Sequence, residues 1–152
     1  MNNIEFKIYN FQPTWDRGKS FELVAIYIDG KNLVEIVEDF EKRKGYENTP
    51  GSYVGSFPEA LVRELEGNHG REVEVLISAG SLFTDDWSIK MDFDIQNNTV
   101  TWCNFRQPWK SNPDKIGSDF WDYSDFPKFE FSEKQFRLEL KKLEDFCKKS
   151  KT

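Results

Sequence analysis

His69 is the single histidine of the chain, so any Ser-His-Asp or Cys-His relay built here has to use it. It stands in Asn68-His69-Gly70, two residues after Gly67, with no nucleophile of recognisable local signature, and it reads as turn material. Cys103 and Cys147 form neither a CxxC pair nor a dense framework. Together with His69 they fall short of the roughly four ligands that a structural zinc site takes, and such sparse cysteines suit a reducing compartment. Asp85-Asp86 and the Asp92/Asp94 pair offer oxygens to a hard cation but lack the glycine-bearing spacing of a calcium loop. Solvated acids on a strand and its entry loop are the simpler reading. Gly51-Ser52-Tyr53-Val54-Gly55 matches neither GxGxxG nor GxxxxGK[ST], so no phosphate loop is expected. The expectation is no catalytic set, no metal and no cofactor. A carboxylate pair for glycoside-type hydrolysis stays open, because the separation of the acids decides it.

The remaining unusual feature is the segment from Gln107 to Pro127. It carries Pro108, Pro113, Gly117 and Pro127, which mark a loop, and it is rich in rings and acids: Trp109, Phe120, Trp121, Asp122, Tyr123, Asp125 and Phe126. A loop this long in a compact domain is often functional. Its rings serve either as partner anchors or as a lid folded onto the core. A mixed arrangement is expected, with Trp121 and Phe126 inward and Asp122, Asp125 and Trp109 accessible. Candidate partner-binding residues are therefore Asp85, Asp86, Trp109, Trp121, Asp122, Tyr123 and Asp125.

The elements that must position these residues follow from periodicity. Ile4, Phe6 and Ile8 alternate with polar neighbours as a strand; Phe21 to Ile28 is apolar on both faces and reads as a central strand ended by Asp29-Gly30. Asn32 caps a helix whose stripe is Leu33, Ile36, Val37 and Phe40, giving way to charge at Glu41 to Lys44 and stopping at Gly45. Residues 46 to 55 read as a loop. Ser56 and Glu59 suggest a capping box for a short helix carrying Leu61 and Leu65, stopped by Gly67. Glu72 to Ser78 reads as a strand. Trp87, Ile89, Met91, Phe93 and Ile95 then alternate with polar residues, turn at Asn97-Asn98, and return through Val100 and Trp102. A two-residue turn there pairs Ile95 with Val100 and Phe93 with Trp102 on one buried face. Phe129-Glu130-Phe131 reads as a short strand. Ser132 with Gln135 opens a last helix with inward Phe136, Leu140, Leu143 and Cys147. The fold class is α+β: an antiparallel sheet of five to six strands with three helices packed against it, in a single domain over residues 1–152.

Composition agrees with a globular domain. The 152 residues are 38% hydrophobic, 32% charged and 16% aromatic, with 14 Phe and 5 Trp, so ring burial should dominate the core. The net charge of −6 disfavours general binding to phosphate backbones and is compatible with a basic protein partner, though solubility alone accounts for it. The opening MNNIEFKIYNF lacks a basic region followed by an apolar run, and no stretch approaches bilayer length. No signal peptide, no membrane association and a cytoplasmic location are expected.

Several segments together resemble a widespread, uncharacterised family of small bacterial proteins: Ile28-Asp29-Gly30-Lys31-Asn32-Leu33, Gly51 to Gly55, Val100 to Pro108, Trp121-Asp122-Tyr123, Phe129-Glu130-Phe131 and Gln135-Phe136. Many members of that family carry a CxCGxxGCW segment before the hairpin. Here the stretch is Leu76 to Trp87, with Gly80 and Trp87 but no cysteine. Any thiol or metal role in that family therefore does not carry over. In size and charge the chain is similar to immunity proteins, which block a toxin by binding it. The functional expectation is a non-enzymatic, immunity-type binding protein. The alternatives are a small hydrolase using carboxylates such as Asp86, Asp92 or Asp122, and a small-ligand or carbohydrate binder using Trp109, Trp121 or Tyr123.

Overall fold

The computed structural model describes residues 1–13, 18–46, 53–79, 87–112, 114–115, 117 and 120–150. The chain is α+β, with eight described strands in two antiparallel sheets and three described helices. β1 (Ile4–Phe11), β2 (Phe21–Ile28) and β3 (Lys31–Asn32) form one sheet. β4 (Tyr53–Gly55), β5 (His69–Ser78), β6 (Ser88–Gln96), β7 (Thr99–Arg106) and β8 (Phe129–Ser132) form the other, in chain order. The helices are α1 (Leu33–Arg43), α2 (Pro58–Leu65) and α3 (Glu133–Ser150). The strands thus divide between two sheets, where the alternation had suggested one.

Two bridges stitch the sheets together. Val24 of β2 exchanges backbone hydrogen bonds with Ser56, and Asn2 pairs in parallel with Phe131 of β8. These contacts complete a circuit from β1 through β2, β4, β5, β6, β7 and β8 back to the chain start. Edge strands leave backbone groups unpaired, and β1 meets that constraint with side chains of α3. Gln135 Oε1 accepts from the Ile4 N–H at 3.3 Å, Gln135 Nε2 donates to the Ile4 carbonyl, and Glu139 Oε1 accepts from the Phe6 N–H at 3.1 Å. Gln135 was expected to close a capping box. Its amide instead serves β1, while its backbone N–H reaches Ser132 Oγ at 3.3 Å.

The β6–β7 hairpin has the expected register. Ile95 faces Val100, Phe93 faces Trp102, and Asn97 and Asn98 both hold positive φ, as a type I′ turn requires. The inward stripe of α3 is buried throughout. α1 is capped by Asn32, whose side chain accepts from the Val34 N–H at 2.9 Å. It ends in a Schellman motif: Tyr46 N–H reaches the Glu41 carbonyl, Gly45 N–H reaches that of Lys42, and Gly45 has φ +77°. β5 begins at His69, earlier than the apolar residues suggest, and places His69 exposed opposite Asp94.

Ser56 departs from expectation. Phe57, not Ser56, is the N-cap residue of α2, and Pro58 fills the first helical position without needing an N–H. The Ser56 hydroxyl instead donates to the Val75 carbonyl, where β5 carries an irregularity against β6. The neighbouring Gly55 has φ +119°, and a Cβ there would lie 2.3 Å from the Val24 carbonyl oxygen. Gly55→Ala is therefore expected to destabilise the protein by at least about 2 kcal/mol, since it adds positive-φ strain to a backbone clash at the inter-sheet bridge. Urea unfolding measures this, and a loss within experimental error would contradict the tight approach.

Candidate functional site

Strand β6 lies in the middle of the five-stranded sheet, and its polar face is built around one acid. Asp92 was expected as a solvated strand residue but is 6% exposed. Beside it each flanking strand carries an extra residue, and β5 has a further irregularity between Glu74 and Leu76. Gly70 and Val73 of β5 span Phe93 and Met91, and Cys103 and Arg106 of β7 span Asp92 and Lys90. Glu72 and Asn104 take positive φ at these bulges, +55° and +56°.

Asp92 holds both bulges. Oδ1 accepts from the Glu72 N–H at 3.0 Å and from Arg106 at 3.3 Å, and Oδ2 accepts from Asn104 Nδ2 at 2.8 Å. Arg71 lies 3.6 Å from Oδ2. Burial by itself raises this carboxyl, but the bonds from Asn104 and Glu72 and the charge of Arg106 outweigh it, so the group is held below the usual carboxylate range. It is an ionised structural acid, not a proton donor. Cys103 on the same strand pair has its thiol pushed up by burial first and by the charge of Asp92 second, which disfavours the thiolate.

The bulge in β7 also turns Trp102 and Phe105 to the same inner side, where both are buried. From there the chain enters the 107–128 connection, whose described residues 107–111 and 121–126 are bonded and packed onto the core. Gln107, fully buried, accepts the Lys110 N–H on its side-chain oxygen at 2.6 Å and the Ser111 N–H on its carbonyl at 2.7 Å. Trp121 N–H donates to the Lys110 carbonyl at 3.0 Å, and Ser111 Oγ donates to the Trp121 carbonyl at 2.8 Å. Ring contacts then run without a break from Phe129 through Phe105, Phe126, Phe40, Tyr123, Tyr46 and Trp121 to Trp87.

The expected partner-binding residues therefore separate. Trp121 and Tyr123 are buried with Phe126 in the core, where packing of their rings removes them from any accessible surface, while Asp122 and Asp125 face solvent. Trp109 is 59% exposed on the braced turn, with Lys115 Nζ 5.8 Å from its ring centre. Asp122 is held low by the Ser124 N–H, and Asp125 by its hydrogen bond from Lys44 at 2.8 Å. Asp85 and Asp86 lie outside the described residues. A cleft of about 310 Å³ opens beside the turn, lined by Asn104, Arg106, Ser111, Trp121, Asp122 and Tyr123 among others. Among the described residues no group of three His, Cys, Asp or Glu side chains is placed to hold a metal ion. The partners of Asp92 are two arginines, an asparagine and a backbone N–H, with no second carboxylate bonded to it. Of the three rings that might have formed a stacking platform, Trp109 alone presents a large exposed area.

One group was hidden from sequence reasoning by its type. Glu41 is 1% exposed, where the charge at the end of α1 had suggested solvent. Its Oε2 accepts from Tyr53 at 2.8 Å and from the hydroxyl of Tyr123. Burial pushes its carboxyl up to about 7 against the lowering effect of those two phenols, and burial likewise drives both phenols far above their ordinary value. The available signal was spacing: Glu41 follows Val37 by four residues and so continues the apolar stripe.

No family model matches the chain, and neither a curated protein nor a solved structure matches it.

Asp92→Asn is expected to cost about 1–3 kcal/mol at pH 7, because it weakens the charge-assisted bonds to both bulges and leaves Arg106 only the more distant carboxylate of Glu72, at 3.9 Å. The lowered carboxyl contributes stability above the unfolded value near 3.8 and loses it as pH falls through its native value, so the Asn variant should lack that part of the acid limb. Superimposable acid limbs in chemical unfolding from pH 2 to 7 would contradict the assignment.

Proposed function

We propose that the chain is a non-enzymatic binding protein of the bacterial immunity type, which blocks a basic protein partner by docking the outer side of the 107–126 connection against it. The observation that carries this reading is Trp109: a large ring exposed on a turn whose neighbours are bonded into the core. Exposed Trp is costly to keep in water and is favoured at the centre of interfaces. Because the turn is already ordered, little conformational entropy remains to be lost on docking. Asp122 and Asp125 stand on the outer side of the same connection, and the net charge of −6 would speed encounter with a cationic surface. The described acids that might have supported hydrolysis, Asp92 and Asp122, are both held in the ionised form by hydrogen-bond donors.

The test is co-expression with the toxic product of an adjacent gene. The chain should restore growth and form a purifiable complex, and Trp109→Ala should weaken that complex by at least about 2 kcal/mol, or roughly thirtyfold, with unchanged thermal unfolding. An adjacent product that is neither toxic nor bound, or a complex indifferent to Trp109→Ala, would defeat the proposal.

A further inference from the structure

Glu41 is the buried titratable group that neither the sheet nor the docking surface uses. Three elements meet at its carboxyl. α1 carries it, Tyr53 opens β4 on one side, and Tyr123 reaches it from the connection between β7 and β8. Both phenols donate to the same oxygen, Oε2, while Oε1 is buried with no hydrogen-bond partner. Glu38, one turn earlier on α1, adds negative charge. Tyr46, just past α1, faces Tyr123 with ring centres 6.3 Å apart, and its hydroxyl is bonded to the backbone of Asp122. Lys44 at the end of α1 is paired with Asp125.

This arrangement treats the two protonation states unequally. A neutral carboxyl is tolerated in an apolar surround. An anion there leaves one oxygen bare, and an unsolvated buried charge is far more costly than an unsolvated neutral group. Water reaching Oε1 relieves that cost, so one wall of the site must give. α1 is fixed by its ladder and its Schellman end. The 120–126 segment has neither helix nor strand ladder and is tied by a few loop bonds and by its rings.

We propose that Glu41 is a proton-operated latch: the closed packing of residues 120–126 against α1 suits its neutral carboxyl, and its ionisation, although it strengthens the bond from Tyr123, leaves Oε1 as an unsolvated charge and so loosens that segment. The sign follows from linkage. A carboxyl raised by folding contributes stability that is complete below its unfolded value near 4.5 and is lost as pH rises through its native value near 7. The latch would thus operate near neutrality. Any effect on partner docking rests on the proposed use of this connection as an interface; the latch itself does not.

The experiment uses the full chain without any partner. Carboxyl ¹³C NMR, assigned by loss of the signal in Glu41→Gln, should give a native midpoint near 7. Hydrogen exchange of the 121–126 amides, corrected for intrinsic rates, should lose on the order of tenfold protection between pH 6 and pH 8 in the wild type and stay nearly constant in Glu41→Gln. Tyr123→Phe removes one donor to the carboxylate and should move the midpoint higher, which keeps the idea testable if the Gln variant does not fold. A native midpoint near 4.5, or equal protection at both pH values in the wild type, would overturn the latch. Either result leaves the docking reading untouched, and a working latch in a chain that binds no toxin would count against docking alone.

Discussion

The charge on Asp92 is satisfied from both sides of the central strand, and much of the molecule depends on that. Of the irregularities in the ladders beside β6, the two that flank Asp92, one in β5 and one in β7, each hold a residue at positive φ. Such conformations persist where the surroundings over-determine them. One carboxylate does so here, taking the freed N–H of Glu72 on one side and the amide of Asn104 on the other, with Arg106 closing the group. The bulge at Asn104 in turn gives Trp102 and Phe105 a common inner face despite their spacing of three residues. Phe105 is where the aromatic chain of the long connection begins.

That connection belongs to the core as much as to the surface. Fully burying one large apolar side chain contributes about 1.5–3 kcal/mol, and Trp121, Tyr123 and Phe126 are all at most 9% exposed. Residues 121–123 alternate inward and outward, and a turn closed by the Phe126 N–H on the Tyr123 carbonyl brings Phe126 back inward, so the rings face the core and the carboxylates face solvent. The outer face can therefore change composition without disturbing the fold, whereas the inner face is tied to α1 through Phe40 and Glu41. The proposed docking surface and the carboxyl of Glu41 lie on opposite sides of the same short stretch of backbone.

Much of this was legible along the chain wherever a local rule had no competitor. The Asn97-Asn98 turn and its alternating flanks specify register, because a slip by one residue would expose Phe93 and Trp102. The stripes of α1 and α3 specify their buried faces. Misreadings arose at polar residues with two possible uses. Ser56 and Gln135 both fit capping boxes, yet their side chains serve the Val75 carbonyl and the backbone of Ile4, partners 19 and 131 residues away. A local pattern weighs only neighbours, and a nearby unpaired backbone group from a distant strand outcompetes a cap that Pro58 makes less necessary.

The chain by itself determined the fold class, the hairpin, the helices and, in the long connection, the inward Trp121 and Phe126 and the outward Asp122 and Asp125. All of these follow from periodicity and from the conformational limits of Asn, Gly and Pro. Tertiary structure alone decided that there are two sheets rather than one, that Asp92 is a buried organiser rather than a solvated acid, and that Glu41 lies between two phenols. The physical reason is common to all three: which distant strands pair, and which distant groups surround a charge, is settled by tertiary packing, and although spacing can mark Glu41 for the buried stripe of α1, it carries no record of those partners.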